Sequence, residues 1–444
     1  MALLSLSLAS CADMPSDAVP EALASALLDA SLGASPGLSA TADAGQHAAI
    51  PRTTSPSRAN VAALGAKSRA FAFSLYHRYA SDASAGNLVF SPYSISTALA
   101  MLFAGARDRT EAEMRTALGF DLPQPALHEA FNAVDRDVTH LTRGASGALA
   151  VPIVEVINAI WTQHGYPVEP TFLETLARNY GAGVHPVDFV GDSEGARAAI
   201  NDYVRVGTRD RIKELVPRGG VDHDTRLAVT NSVYFEARWL TGFYERRTQP
   251  RTFTRLDGSE VSTSMMSEPL MPCRYAEFPG GQAAWLRYTS ARMTLSFVAI
   301  LPEPGLFAEV ERAVSQPWFD ALQTQLRQGH VNFELPKLDF RKRRVLTDDL
   351  AALGFRSAAT GAEFAGISPL RPQLASVLHE ATLTVNERGT IATGATFGAV
   401  GALSSATPRA IATMKLDRPF LFAIVEEASG QVLFLGRVLD PTAH

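Results

Sequence analysis

Residues 385–405, VNERGTIATGATFGAVGALSS, constrain this chain more than any other stretch. A strand-like segment runs there without a break into seventeen residues made almost wholly of Gly, Ala, Ser, Thr and Val. An ordinary surface loop carries Pro, Asn, Asp or Lys to set turns and hold water, yet from Thr390 to Ser405 there is no charge, no proline and no amide side chain. Small and β-branched residues suit an extended backbone that must slide between two existing strands, where bulky groups clash and proline lacks a ladder donor. A flexible Gly/Ala linker is the alternative. A linker should join two domains, however, and only about forty residues follow, which read as strands.

The segment also divides by period two. One face carries Thr390, Ala392, Gly394, Thr396, Gly398, Val400 and Ala402, none larger than valine. The other carries Ile391, Thr393, Ala395, Phe397, Ala399 and Gly401, so the larger groups fall together on the face that can stay outside. A strand that enters a sheet only under some condition needs that division.

With 444 residues, 46% of them hydrophobic, the chain can bury one large core or two intimate ones. No run approaches the roughly 18 apolar residues needed to span a bilayer. A formal charge of −5 offers no basic field for nucleic acid. The dense run Arg341-Lys342-Arg343-Arg344 stands beside Asp339, Asp348 and Asp349 and reads as a solvated turn. Two cysteines, Cys11 and Cys273, make neither a disulfide framework nor a metal site, and no cofactor motif occurs. Cys273 reads as structural or idle. Cys11 ends Leu8-Ala9-Ser10-Cys11 after a short apolar run, which resembles the lipobox of a bacterial lipoprotein, although no Lys or Arg precedes it. An accidental cysteine in a leader is the alternative.

Residues 1–11 therefore read as a lipoprotein signal, 12–58 as a disordered Ala/Ser/Pro-rich tether, and 59–444 as one folded domain. Helical spacing predicts helices over Val61–Tyr79, Ile95–Ala106 (capped by Ser91 or Ser94), Thr110–Leu118, Leu127–Leu141, Glu169–Asn179 and Ser193–Thr208. Asn87–Phe90 reads as a short strand. Further strands are predicted at Thr225–Phe235, Ala284–Tyr288, Met293–Leu301, His330–Phe340, Ala375–Glu387, Phe420–Glu426 and Gln431–Leu439. Helices first and strands later argue for an α+β domain with large, mostly antiparallel sheets.

Several separated segments, in order, carry a family resemblance: NLVFSPYSISTALAML from Asn87, NDYV and TRDRIKELV between Asn201 and Val216, LAVTNSVYFEARW from Leu227, LPKL at Leu335, EFAGIS at Glu363, HEATLTVNERGT at His379, DRPFLFAI at Asp417 and LFLGRVLDP at Leu433. From about Asn60 to Pro441 the chain resembles the serpins, most of which inhibit serine proteases as suicide substrates. The resemblance implies three β-sheets with a helical cluster and an exposed reactive-centre loop at about 387–410. A protease cleaves that loop, is held as an acyl-enzyme, and is carried away when the loop inserts as a new strand.

Family spacing puts the scissile bond fourteen residues past the hinge glycine Gly389, at Leu403-Ser404; a neighbouring bond at Ala402 or Ser404 would favour elastase-like enzymes. Leucine on the acyl side suits chymotrypsin-like proteases. The implied hinge comprises Glu387, Gly389, Thr390, Ile391, Ala392, Thr393, Gly394, Ala395 and Thr396, with Ile391 standing where inhibitory members usually carry Glu. Ser91, Ser94, Asn231 and His379 match a polar latch under the central sheet, with a satisfied buried polar group as the plain alternative. Trp239, Lys337 and Glu387 match the top of that sheet, where Lys337 and Glu387 would pair. The implied partner is a target serine protease bound covalently to a monomer, with no nucleic acid, no metal, and a membrane only through lipid on Cys11; the expected location is the cell envelope or outside it. A hydrolase reading fails for want of H-E-x-x-H or a phosphate loop. Two alternatives stay open: a serpin fold used for binding, and inhibition of papain-like cysteine proteases.

Overall fold

A computed structural model describes residue 52 and residues 56–82, 86–139, 153–290, 293–390 and 409–443. Helix α1 (Arg58–Ala80) starts where the Ser57 hydroxyl accepts the Ala59 N–H. After β1 (Leu88–Phe90) the Ser91 side chain caps α2 (Pro92–Phe103), with Pro92 in the first turn. All twelve residues of α2 are buried, as an apolar helix without a polar face must be. Helices α3 (Asp108–Leu118), α4 (Gln124–Thr139), α5 (Pro170–Tyr180) and α6 (Ser193–Gly207) follow. Each of the six matches a predicted helix within a few residues, because each shows apolar residues at helical spacing. Short helices α7 (Phe307–Ala313), α8 (Gln316–Thr324) and α9 (Thr347–Ala352) carry too few turns to show that period and were not foreseen.

The central sheet has six strands in the order β10 (Leu338–Val345), β11 (Leu374–Asn386), β12 (Gly389–Thr390), β4 (Leu227–Arg238), β2 (Ile153–Gln163) and β3 (Val184–Val187). The other two expected sheets run into one another along β6 (Glu260–Phe278) and β9 (Arg327–Pro336), giving nine strands that include β5 (Gln249–Thr254), β7 (Gly281–Arg287), β8 (Leu295–Pro302), β13 (Ala412–Lys415), β14 (Phe420–Glu426) and β15 (Gln431–Val438). The single strand predicted over His330–Phe340 is two, in different sheets. They break at Lys337, whose N–H turns to the Ser264 carbonyl. The basic run is not a turn either: Arg341 to Arg344 lie on β10, where Arg341 pairs with Glu380, Arg343 holds the carbonyls of Glu214 and Leu215, and Arg344 covers the Tyr79 ring.

One face of the central sheet lies on the main core, to which β11 contributes Val377, Ala381, Leu383 and Val385. The opposite face carries a second core made by α6 and the chain that follows it, and Leu378 of β11 and Ala228 of β4 reach into that one. Alternate residues of β11 thus serve two cores, the period-two rule at work in a strand covered on both sides. Cys273 is buried, and burial pushes its thiol up to about 12, which leaves it inert at neutral pH.

Candidate functional site

Strands β4 and β11 pair in parallel from Leu227/Leu374 to Val233/Ala381 and then part. Into the opening comes β12, paired antiparallel to both neighbours: Thr390 faces Val385 on one side and Ala237 on the other, and Gly389 faces Asn386 and Arg238. Only glycine fits at Gly389. Its φ is +149°, and a Cβ there would sit 2.0 Å from the Ala237 carbonyl oxygen.

Thr390 is wholly buried, and its hydroxyl lies 2.7 Å from the Tyr288 hydroxyl. Tyr288 stacks on Trp239 at 4.6 Å, and the Trp239 indole N–H donates to the Asn386 carbonyl at 2.9 Å. Glu387 sits beneath the turn with its carboxylate 2.8 Å from the Lys337 ammonium, and it accepts the Thr248 hydroxyl at 2.7 Å. Burial raises the Glu387 carboxyl, but the hydrogen bonds from Lys337 and Thr248 outweigh that and hold it below its ordinary range. With Glu387 only 8% exposed at the side chain, this is more than a surface ion pair.

Lower down, where β4 and β11 are still joined, Ser91, Ser94, Asn231 and His379 form one buried cluster. The Ser91 N–H donates to His379 Nε2 at 3.2 Å, which leaves the proton of the neutral ring on Nδ1, facing Asn231 Oδ1 at 2.5 Å. The Asn231 amide donates to the Ser94 carbonyl at 2.8 Å and also approaches the Ser94 hydroxyl and Asn158 Oδ1. Asn231 and His379 stand opposite each other across the β4–β11 seam, so opening the seam breaks their bond. Leaving such groups buried without partners costs about 1–3 kcal/mol each.

Burial lowers the His379 imidazole from 6.5 to about 3. His128 and His185 are each lowered to about 4 for the same reason. The unfolded chain therefore binds protons that the folded one refuses as the pH drops below roughly 6.5. The stability these groups contribute is complete above that pH and declines as the pH falls through the folded values. We expect the urea midpoint at pH 5 to lie below that at pH 7.5, and His379→Gln, which cannot titrate, to narrow the gap. Equal midpoints at the two pH values would contradict the neutral buried ring.

The structure thus brings Ser91, Ser94, Asn231 and His379 together, and gathers Trp239, Lys337, Glu387, Gly389 and Thr390 at the head of the seam. Asn158, Thr248 and Tyr288 belong to these clusters and were not singled out from the sequence. Ile391, Ala392, Thr393, Gly394, Ala395, Thr396, the bond Leu403-Ser404 and Cys11 lie outside the described residues.

Comparison with known proteins matches residues 66–441 to the model of the family described as serpin, serine protease inhibitor. The chain is 33% identical to the leukocyte elastase inhibitor of Sus scrofa, covering 85% of this chain and 99% of that one. It is 32% identical to an uncharacterized serpin-like protein of Thermococcus kodakarensis, covering 84% of each. Its fold is similar to that of an Arabidopsis serpin in the native stressed conformation, with a TM-score of 0.75 at 23% identity, over 86% of this chain and 99% of that one.

Proposed function

The chain belongs to the serpin family, a family of protease inhibitors, and from that premise we propose that it traps serine proteases as a suicide substrate cleaved at Leu403-Ser404. The observation that carries this reading is the pairing of Gly389 and Thr390 with both β4 and β11. The first residues of the loop already occupy the head of a strand position whose remainder is closed.

In the proposed sequence the protease serine Oγ adds to the Leu403 carbonyl, the bond to the Ser404 nitrogen breaks with proton transfer to that nitrogen, and an ester joins Leu403 to the enzyme. Released from its downstream anchor, the chain from Ile391 onward follows Thr390 between β4 and β11. The tethered enzyme is drawn along, and its active site is distorted before water can hydrolyse the ester. Gly, Ala, Thr and Val on the inward face let the strand enter without a clash. Leu403 favours chymotrypsin-like enzymes, with elastase- or subtilisin-like ones as neighbours in preference. A lipid on Cys11, on a tether that ends before the anchored Arg52, would hold the inhibitor at the cell envelope as a monomer.

The test is incubation of the full chain with chymotrypsin, elastase, subtilisin and papain, followed by a denaturing gel. We expect a band carrying the mass of the enzyme added to the inhibitor, labile to alkali as an ester is, with the serine enzymes. Cleavage without such a band would favour a binding role for the fold, and a band with papain alone would move the target to cysteine proteases.

A further inference from the structure

Upstream of α1, inside the stretch read from the sequence as a tether, Arg52 is fastened to the domain. Its Nη2 donates to Asp135 Oδ2 at 2.8 Å and to the Asn179 carbonyl at 2.9 Å, and its Nε donates to Asn132 Oδ1 at 3.2 Å. Its own carbonyl accepts the Arg136 guanidinium at 2.9 Å. The side chain thereby staples α4 to the end of α5. Its stem crosses Gly181, which ends α5 with φ +60°, so closely that a Cβ there would meet Arg52 Cδ at 3.0 Å. The contacts do not stop at α4. The other Asp135 oxygen accepts the Tyr93 hydroxyl at 3.2 Å, and Tyr93, 2% exposed, lies in the first turn of α2 between Ser91 and Ser94. Burial and the neighbouring Asp135 raise the Tyr93 phenol, so it keeps its proton and remains the donor.

We propose that Arg52 is a positioning residue for loop insertion, acting through Asp135 and Tyr93 on the α2 turn whose serines hold Asn231 and His379 across the β4–β11 seam. The inference rests on the reading of this chain as an insertion inhibitor. Asp135 is 8% exposed, and a buried carboxylate that loses its guanidinium partner must find other compensation or move toward water. Movement of Asp135 releases the Tyr93 hydroxyl, and with it the constraint on a turn whose Ser91 N–H and Ser94 carbonyl are bonded to the two seam residues. Each link is a direct contact. Arg52 therefore biases how readily the central sheet opens, although none of these contacts is made with β4 or β11.

Amide hydrogen exchange on the full chain tests this without a protease. In Arg52→Ala the amides of Ser232, Val233 and Ala381 should exchange about fivefold faster than in the parent, with Arg52→Lys close to the parent. In a Tyr93→Phe background the same substitution should add less than about twofold, since the relay is already cut. Faster exchange confined to α4 and α5, or an undiminished effect of Arg52→Ala beside Tyr93→Phe, would overturn the proposal and leave Arg52 a local anchor. Protease trapping is read on the same samples. Absence of seam coupling with trapping intact removes this inference alone, whereas intact coupling in a chain that traps no protease removes the inhibitor reading and leaves Arg52 coupled to the seam without a role in loop insertion.

Discussion

Cleavage between Leu403 and Ser404 should raise the thermal unfolding midpoint of this protein by at least about 10 °C. The expectation follows from the register already present at the hinge. Thr390 faces Val385 and Ala237, and each further residue of an antiparallel insert meets one residue earlier on both neighbours. Six positions on, Thr396 arrives between His379 and Asn231, the pair whose bond the insertion breaks, with a hydroxyl that can donate to one and accept from the other. The parallel pairing of β4 with β11 is exchanged for two antiparallel ladders, which gains about a dozen hydrogen bonds at roughly 1 kcal/mol net each, besides apolar burial. Spread over the unfolding entropy of a domain this size, a gain on the order of 10 kcal/mol gives the stated shift. Melting curves by circular dichroism before and after a single nick measure it directly. A nicked chain that melts where the intact one does has no strand waiting to enter, and the proposed mechanism falls with it.

The parts of this arrangement that were legible in the sequence are those written in local periodicity. Strand β11 alternates between two cores, α2 is apolar all round, and Gly389 precedes a run of small residues, so each could be read where it stands. What escaped is mostly non-local. Tyr288 meets Thr390 across 102 residues of chain, and Asn158 reaches Asn231 from β2, a strand that went unread because apolar residues occupy both of its faces near its end. Strand β6 was hidden differently. Pro269 and Pro272 interrupt it in a way that argues against a central strand, yet a bulge between Glu268 and Met271 absorbs the break in its pairing with β9. Arg52 gave no signal at all, since one arginine in a stretch rich in Ala, Ser and Pro looks the same whether it is tethered or anchored.

Thr390→Arg should convert the proposed inhibitor into a substrate: the loop is still cut, and no covalent complex accumulates. Thr390 is the first inward-facing residue of the insert, wholly buried, with its hydroxyl against Tyr288 and Tyr288 stacked on Trp239. Among the described residues, none bonded to or stacked on Thr390, Tyr288 or Trp239 offers a carboxylate to a guanidinium. Glu387, the nearest acid along the chain, is engaged with Lys337 and Thr248. Seating an unpaired cation there costs several kcal/mol, and every 1.4 kcal/mol added to the barrier slows insertion about tenfold. Trapping is a race between insertion and hydrolysis of the ester, so a delay of about a hundredfold hands the outcome to water. Thr390→Ser keeps the hydroxyl and the volume within one methyl, and should trap as the parent does. The quantity to measure is moles of protease held per mole of inhibitor consumed, by titration against residual activity. Undiminished trapping by the arginine variant would mean that entry of the hinge does not govern the race, and the seam between β4 and β11 would lose the role assigned to it.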